Sequence, residues 1–268
     1  MATPRSWQLD DSLDWPEHYV RYGFCLLRGL LDRPDLDAAL AEVQRLVGDP
    51  RPIGDWTIDR PGQRYTVYYA GQAPAIERLF ATPPLAAALE QFFGSLGASL
   101  GSSEPDDPDR RRLALWVNPY DPDARPRLQG LGHIDSGSPY RGMAVHIALA
   151  GTKPFSGNTT YVPGSHVTMH HWLRDHPDPS WPGGTYPEVP RELPAWEFVA
   201  EPGDVVFTHH LVFHSANPSH AEDRSPRIAI RQELFPRRPL ADAPLDRPGA
   251  SVFERSLAFG GPHQRSNT

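Results

Sequence analysis

The feature that most restricts this chain is a change of texture near residue 113. From there the sequence breaks into short apolar or alternating runs: Leu113 to Val117, Met143 to Ala150, Asn158 to Val162, Trp196 to Val199, Val205 to His214 and Arg227 to Leu234. Gly, Pro, Asn and Asp separate them. Runs this short are poor helices, whereas period-two alternation gives a strand one buried side, so the pattern predicts antiparallel strands closing as a sandwich or jelly roll. The 31 prolines agree, because proline lacks the N–H that helix interiors and central strands need. The expectation is a mainly β fold with flanking α-helices and a jelly-roll (double-stranded β-helix) core.

Residues 1–112 read as mostly helical. A first helix ends at Tyr19 to Tyr22, and Gly23 to Arg28 form a short strand. From Pro34 the apolar positions Leu36, Ala39, Leu40, Val43, Leu46 and Val47 keep helical spacing up to Gly48. Leu85, Leu89, Phe92 and Phe93, between Pro83-Pro84 and Gly94, repeat that signature. A chain of 268 residues needs no second domain, so one domain is expected, with a core over 113–236 and a C-terminal tail over 237–268. The proline-rich stretch 177–194, with Gly183-Gly184, is long for a connector and reads as a lid or binding loop containing Trp181. The aromatic run Arg64 to Tyr69 reads as core packing or pocket lining.

Charge and composition remove several function classes. A net charge of −7 argues against nucleic-acid binding, which needs a basic surface to release counterions. The basic run Arg110 to Arg112 follows an acidic segment, Glu104 to Asp109, and reads as a solvated loop. No apolar stretch approaches the roughly 20 residues of a membrane span, and Met1 to Asp10 lacks the order of a signal peptide. The single cysteine, Cys25, lies in an apolar run and reads as a buried, inert thiol, which fits a cytoplasmic protein. The sequence does not choose between a monomer and a dimer.

The chemistry concentrates in two segments. Gly132-His133-Ile134-Asp135-Ser136 places an imidazole and a carboxylate two residues apart, and on a strand positions i and i+2 share a face. One segment can therefore offer both groups to one ion. A third ligand has to come from a distant strand, and the run Val205 to His214 offers His209, His210 and His214. Two imidazoles and one carboxylate leave three positions open on iron(II), as oxygen activation with a chelating co-substrate requires.

The context of that pair carries a resemblance. Gly157 to His166, then Pro202-Gly203-Asp204-Val205-Val206, then His214 to Ser219, then Arg227-Ile228-Ala229-Ile230 follow the His-x-Asp pair in the order found in the phytanoyl-CoA dioxygenase family of iron(II)/2-oxoglutarate oxygenases. The resemblance covers residues 113–234 well and the N-terminal helices diffusely.

It implies that His133, Asp135 and His214 hold iron(II), with 2-oxoglutarate and O2 as co-substrates. It implies that Arg227 clamps the distal carboxylate of 2-oxoglutarate, a task suited to the planar guanidinium fork, with Arg224 and Arg231 as competitors. Two extra residues precede Arg227, and Ser215 replaces a frequent glycine. His146 falls where some family members carry an aromatic residue beside the co-substrate, and Asn118 could reach it from the opposite wall. His166 is expected to fix a turn, with Ser165 as N-cap of a following helix. A carboxylate at 135, where related halogenases have a small residue, implies hydroxylation, desaturation or ring closure of a small molecule. The short acidic, Arg/Ala/Pro-rich chain resembles bacterial family members that tailor natural products, and a polar, sugar-containing or aminated substrate is expected. The competing readings are a cupin-like metal hydrolase or isomerase that makes no use of 2-oxoglutarate, and a non-catalytic small-molecule-binding module.

Overall fold

A computed structural model describes residues 13–56, 65–68, 73–100, 114–118, 132–135, 142–175, 195–216, 226–238 and 245–259. The expectations for the 177–194 loop, Trp181, residues 104–112 and the N-terminal ten residues lie outside the described residues.

The N-terminal part alternates helices with short strands: α1 (Trp15–Tyr22), β1 (Phe24–Leu27), α2 (Arg33–Val47), β2 (Tyr65–Tyr68), α3 (Pro74–Leu79), α4 (Pro83–Phe93) and β3 (Ala98–Leu100). The core follows as β4 (Ala114–Asn118), β5 (Met143–Ala148), β6 (Thr159–Tyr161), α5 (Ser165–Asp175), β7 (Trp196–Glu197), β8 (Val205–His209), β9 (His214–Ala216) and β10 (Arg227–Pro236). A last helix, α6 (Val252–Phe259), lies in the stretch read from sequence as a tail.

Helix boundaries follow local chemistry. Asp14 caps α1 by accepting from the Glu17 N–H at 3.0 Å, and Pro16 sits in the first turn. The α6 start is a reciprocal capping box: Glu254 N–H donates to Ser251 Oγ at 3.2 Å and Ser251 N–H to Glu254 Oε2 at 2.8 Å. Ser165 departs from its expected role. Its hydroxyl donates to Val162 O at 2.7 Å and accepts from Phe213 N–H at 2.9 Å, so it ties two loops together instead of capping α5.

Two antiparallel sheets form the jelly roll. The larger runs β1-β8-β5-β10-β4-β2, with β3 also pairing with β10, and the smaller runs β7-β6-β9. The run Val205 to His214 is therefore not one strand. It leaves the large sheet after His209 and enters the small sheet at His214, turning through His210 to Phe213. His209 Nδ1 accepts the Leu211 N–H at 3.0 Å and stabilises this corner.

Alternation along the strands sorts side chains between two faces. Cys25, Val145, Ile147, Val205, Phe207, Ile228 and Ile230 face the helices and join Tyr19, Leu36, Val43, Leu85, Phe92, Phe93 and Phe253 in the main core. Each such buried apolar side chain stabilises by roughly 1.5–3 kcal/mol. Burial pushes the Cys25 thiol far above its ordinary range, so it is inert as expected. The opposite face of the large sheet looks toward the small sheet.

The Pro202-Gly203-Asp204 turn locks β8 to the N-terminal part. Asp204 accepts from Gly29 N–H at 2.8 Å and from Glu201 N–H at 2.9 Å, and pairs with Arg28 at 2.5 Å. Gly203, at φ +90°, allows the close approach: a Cβ there would lie 2.5 Å from Leu31 O. No helix among the described residues is long and apolar enough to cross a membrane.

Candidate metal centre

His133 and His214 are joined through their backbones before their side chains meet. His133 N–H donates to His214 O at 2.9 Å and His214 N–H to His133 O at 3.0 Å, an antiparallel bridge that extends the small sheet beyond β9. Asp135 N–H then donates to His210 O at 2.9 Å, holding the second half of the His-x-Asp segment against the same corner. The bridge depends on Gly132, where a Cβ would sit 1.9 Å from His214 O. Any side chain at that position would push the two segments apart.

With the backbones paired, the ligand atoms converge. His133, Asp135 and His214 each offer one ligand atom, all within 4.8 Å of one another. Asp135 Oδ1 lies 3.7 Å from His133 Nε2 and 3.5 Å from His214 Nε2. His214 Nδ1 donates to Val212 O at 3.0 Å, which leaves Nε2 as the lone-pair nitrogen facing the cluster. Burial lowers the His133 imidazole, His214 lowers it further and Asp135 opposes them, so the ring is neutral near pH 7 and able to ligate. Burial alone would raise the Asp135 carboxyl, but Arg231, His214 and His210 together outweigh it and keep it ionised. Two imidazoles and an ionised carboxylate facing one point are the donor set of a divalent first-row metal.

The other histidines in the run are engaged elsewhere. His209 is buried with its ring 5.4 Å from that of His166 and 6.2 Å from that of Tyr19, on the far side of the corner. The His210 ring packs edge-on against Phe235, 6.0 Å away, and its carbonyl holds Asp135. Lying in the turn, His210 does not share a strand with His214 as the sequence suggested. His166 Nε2 donates to Val20 O at 3.1 Å, the turn-fixing role expected of it.

The neighbouring wall comes from the inner face of the large sheet. Arg227 is buried, with Nη1 donating to Gly157 O at 3.1 Å and Nη2 to Thr159 Oγ1 at 2.8 Å. Its register partner on β4 is Asn118, which places that residue's backbone beside the arginine. His146, on β5, lies opposite Arg231 in the ladder and shares a 3.3 Å hydrogen bond through Nδ1 with Tyr161 Oη. Its Nε2 is buried with no hydrogen-bond partner among the described residues. Burial, then Arg231 and Arg227, push this imidazole well below its ordinary range. A buried unpartnered nitrogen beside a buried arginine fits a polar, anionic small molecule such as a keto acid. Ser215, after His214, faces Thr160, their hydroxyls 2.9 Å apart.

Two features were missed in sequence. Gly132 gave no motif signal, because its value lies in a contact with residue 214. Arg231 was read only as a rival clamp, yet its Nη2 lies 2.7 Å from Asp135 Oδ2.

Comparison with known proteins identifies the chain's family and relatives of its fold. The phytanoyl-CoA dioxygenase (PhyH) family profile matches residues 19–229. Ectoine dioxygenase of Bordetella bronchiseptica is 28% identical over 163 residues, 58% of this chain and 49% of that protein. The chain thus spans about half the length of the curated relatives it matches. Among solved structures, the α-ketoglutarate-dependent epimerase SnoN from nogalamycin biosynthesis aligns with a TM-score of 0.60 and 23% identity, over 83% of this chain and 82% of that one. HygX from Streptomyces hygroscopicus, with nickel and 2-oxoglutarate bound, aligns with a TM-score of 0.53 and 15% identity, over 84% and 88%. These likenesses speak to the jelly-roll fold, while the family profile spans the bridge, both imidazoles, the carboxylate and Arg227. On that match the chain belongs to the phytanoyl-CoA dioxygenase family.

Proposed function

We propose that this protein is an iron(II)/2-oxoglutarate-dependent dioxygenase that oxidises a small molecule, with His133, Asp135 and His214 as the metal ligands. The observation that carries the reading is the convergence of these three groups within 4.8 Å on a backbone bridge, beside a wall containing a buried arginine. When bound, iron(II) with 2-oxoglutarate supplies the activation of oxygen.

The protein's own part is to bind, orient and exclude water. Arg227 offers a guanidinium in a buried setting where a carboxylate would be held by charge-assisted bonds. His146 Nε2, buried and without a partner among the described residues, is a second polar contact for the co-substrate. Asn118, level with Arg227 on β4, is a third candidate from the opposite side. Ile134, Val162, Met169, Leu211 and Phe213 pack behind the ligand-bearing corner and keep water from that side.

For the substrate we infer a polar small molecule of bacterial natural-product biosynthesis, sugar-containing or aminated, that is hydroxylated, desaturated or cyclised. Support comes from the solved relatives, among them an epimerase and a carbocyclase of nogalamycin biosynthesis and a HygX structure holding hygromycin B. The retained carboxylate at 135 agrees with an oxidative outcome rather than halide transfer.

The test is anaerobic addition of iron(II) and 2-oxoglutarate. A visible metal-to-ligand charge-transfer band is expected in the wild type and absent in His133→Ala. Arg227→Ala should weaken 2-oxoglutarate binding by about 2–5 kcal/mol, because a buried carboxylate loses its charged partner. A folded wild-type protein without the band would favour a metal hydrolase or isomerase on the same fold.

A further inference from the structure

Asp135 presents its two oxygens to different partners. Oδ1 lies 3.7 and 3.5 Å from the two imidazole Nε2 atoms, whereas Oδ2 lies 2.7 Å from Arg231 Nη2. Arg231 is itself fixed from the other side, with Nη1 donating to Glu233 Oε1 at 3.0 Å. Both long side chains rise from the same face of β10, because residues 231 and 233 share strand parity. They oppose His146 and Ala144 on β5. The guanidinium thus serves two carboxylates at once, Asp135 through an ion pair and Glu233 through a hydrogen bond. Arg231 is only 17% exposed and Asp135 9%, so the pair is shielded from water and its geometry is maintained.

We propose that Arg231 is a positioning residue for the metal centre: by holding Oδ2, it turns Asp135 so that the carboxylate ligates through Oδ1 alone. The consequence concerns coordination number. A carboxylate free to rotate can bind a metal with both oxygens and occupy a position that a two-oxygen co-substrate requires. With Oδ2 engaged, three positions stay open beside the two imidazoles. Glu233 contributes by neutralising the guanidinium, so that the Asp135–Arg231–Glu233 chain keeps one net negative charge to offset the divalent ion. The family profile matches residues 19–229, so Arg231 lies just past the matched stretch of β10.

The inference rests on His133, Asp135 and His214 being the ligands, and the test separates the two. Cobalt(II) is added to the full-length wild type and to Arg231→Met, Arg231→Lys and Glu233→Gln, without 2-oxoglutarate. Affinity and the visible d–d spectrum, which reports coordination number, are recorded. Arg231→Met is expected to bind cobalt about ten- to a hundredfold more weakly and with an altered spectrum. Arg231→Lys should recover part of the affinity, and Glu233→Gln should shift it less and in the same direction. Wild-type affinity and spectrum in folded Arg231→Met would overturn the proposal. So would an unchanged cobalt spectrum together with lost 2-oxoglutarate affinity in a separate titration of the cobalt-loaded variant, which would make Arg231 a co-substrate clamp. Should Arg231→Met fail to fold, Arg231→Lys decides by the same readouts, a wild-type spectrum and affinity counting against the role. If His133→Ala takes up cobalt as well as the wild type, the ligand assignment fails, and the positioning role fails with it.

Discussion

The two faces of the large sheet are made by the same strands and carry opposite chemistry. On the helix side, Cys25, Val145, Ile147, Val205, Phe207, Ile228 and Ile230 form an unbroken apolar layer under α1, α2, α4 and α6. On the inner side, the intervening residues include His146, Thr208, Arg227 and Arg231, all buried or nearly so. Period-two alternation allows this division, since each strand can contribute to stability with one set of residues and to a site with the other. The helix side can be apolar throughout because helices cover it. The inner side holds its charges only because each is paired across the gap, Arg227 to the small sheet and Arg231 to Asp135.

The largest effect should come from the helix side. Phe207 is fully buried and meets Trp15 and Phe92 edge to face at 5.8 and 5.7 Å. Phe207→Ala should cost about 3–5 kcal/mol of unfolding free energy in urea titrations. Metal affinity per folded molecule should stay near the wild-type value if the two faces are independent.

Where α5 meets α1, burial pushes the His166 imidazole down to about 4, the bond to Val20 O opposing and His170 adding to the shift. In the unfolded chain the ring titrates near 6.5, so between these values only the unfolded state takes up the proton. Stability from this group is present above 6.5, is lost as pH falls toward 4 and levels off below it. The loss is about 3 kcal/mol for this ring. Urea midpoints at several pH values should show it, with a shallower slope in His166→Gln.

Gly132→Ala addresses the inner side without replacing a ligand or a core residue. A methyl group there meets His214 O and forces the bridge open. Turnover should fall about a hundredfold while the unfolding midpoint changes little, a small misplacement of ligands being costly to chemistry. A wild-type rate in this variant would mean that the bridge does not set the ligand geometry. The smallest effect expected is Asp14→Ala, which removes the α1 cap on the helix side and should cost about 1 kcal/mol without altering metal uptake.

Some of this was legible before any coordinates. The helical spacing from Leu36 to Val47 and from Leu85 to Phe93 reproduces α2 and α4, and the run Arg227 to Leu234 lies within β10. These are local regularities, written into neighbouring residues. The α6 start was equally local, since Ser251 and Glu254 have capping-box spacing, but it was passed over as tail. The corner after His209 was not local. Apolar content continues through Leu211, Val212 and Phe213, and only the transfer of the chain from one sheet to the other ends β8.

The same distinction applies to the centre itself. Residue types and a two-residue spacing were enough to nominate His133 and Asp135, because i and i+2 share a face on any strand. The family resemblance, with the Pro202-Gly203-Asp204 turn ten residues upstream, then pointed to His214. That Gly132 must lack a side chain, that His210 serves through its carbonyl, and that Arg231 rather than solvent faces Asp135 Oδ2 are decided by contacts between residues 75 or more positions apart. Such contacts exist only once the strands have paired, so tertiary structure alone could reveal them.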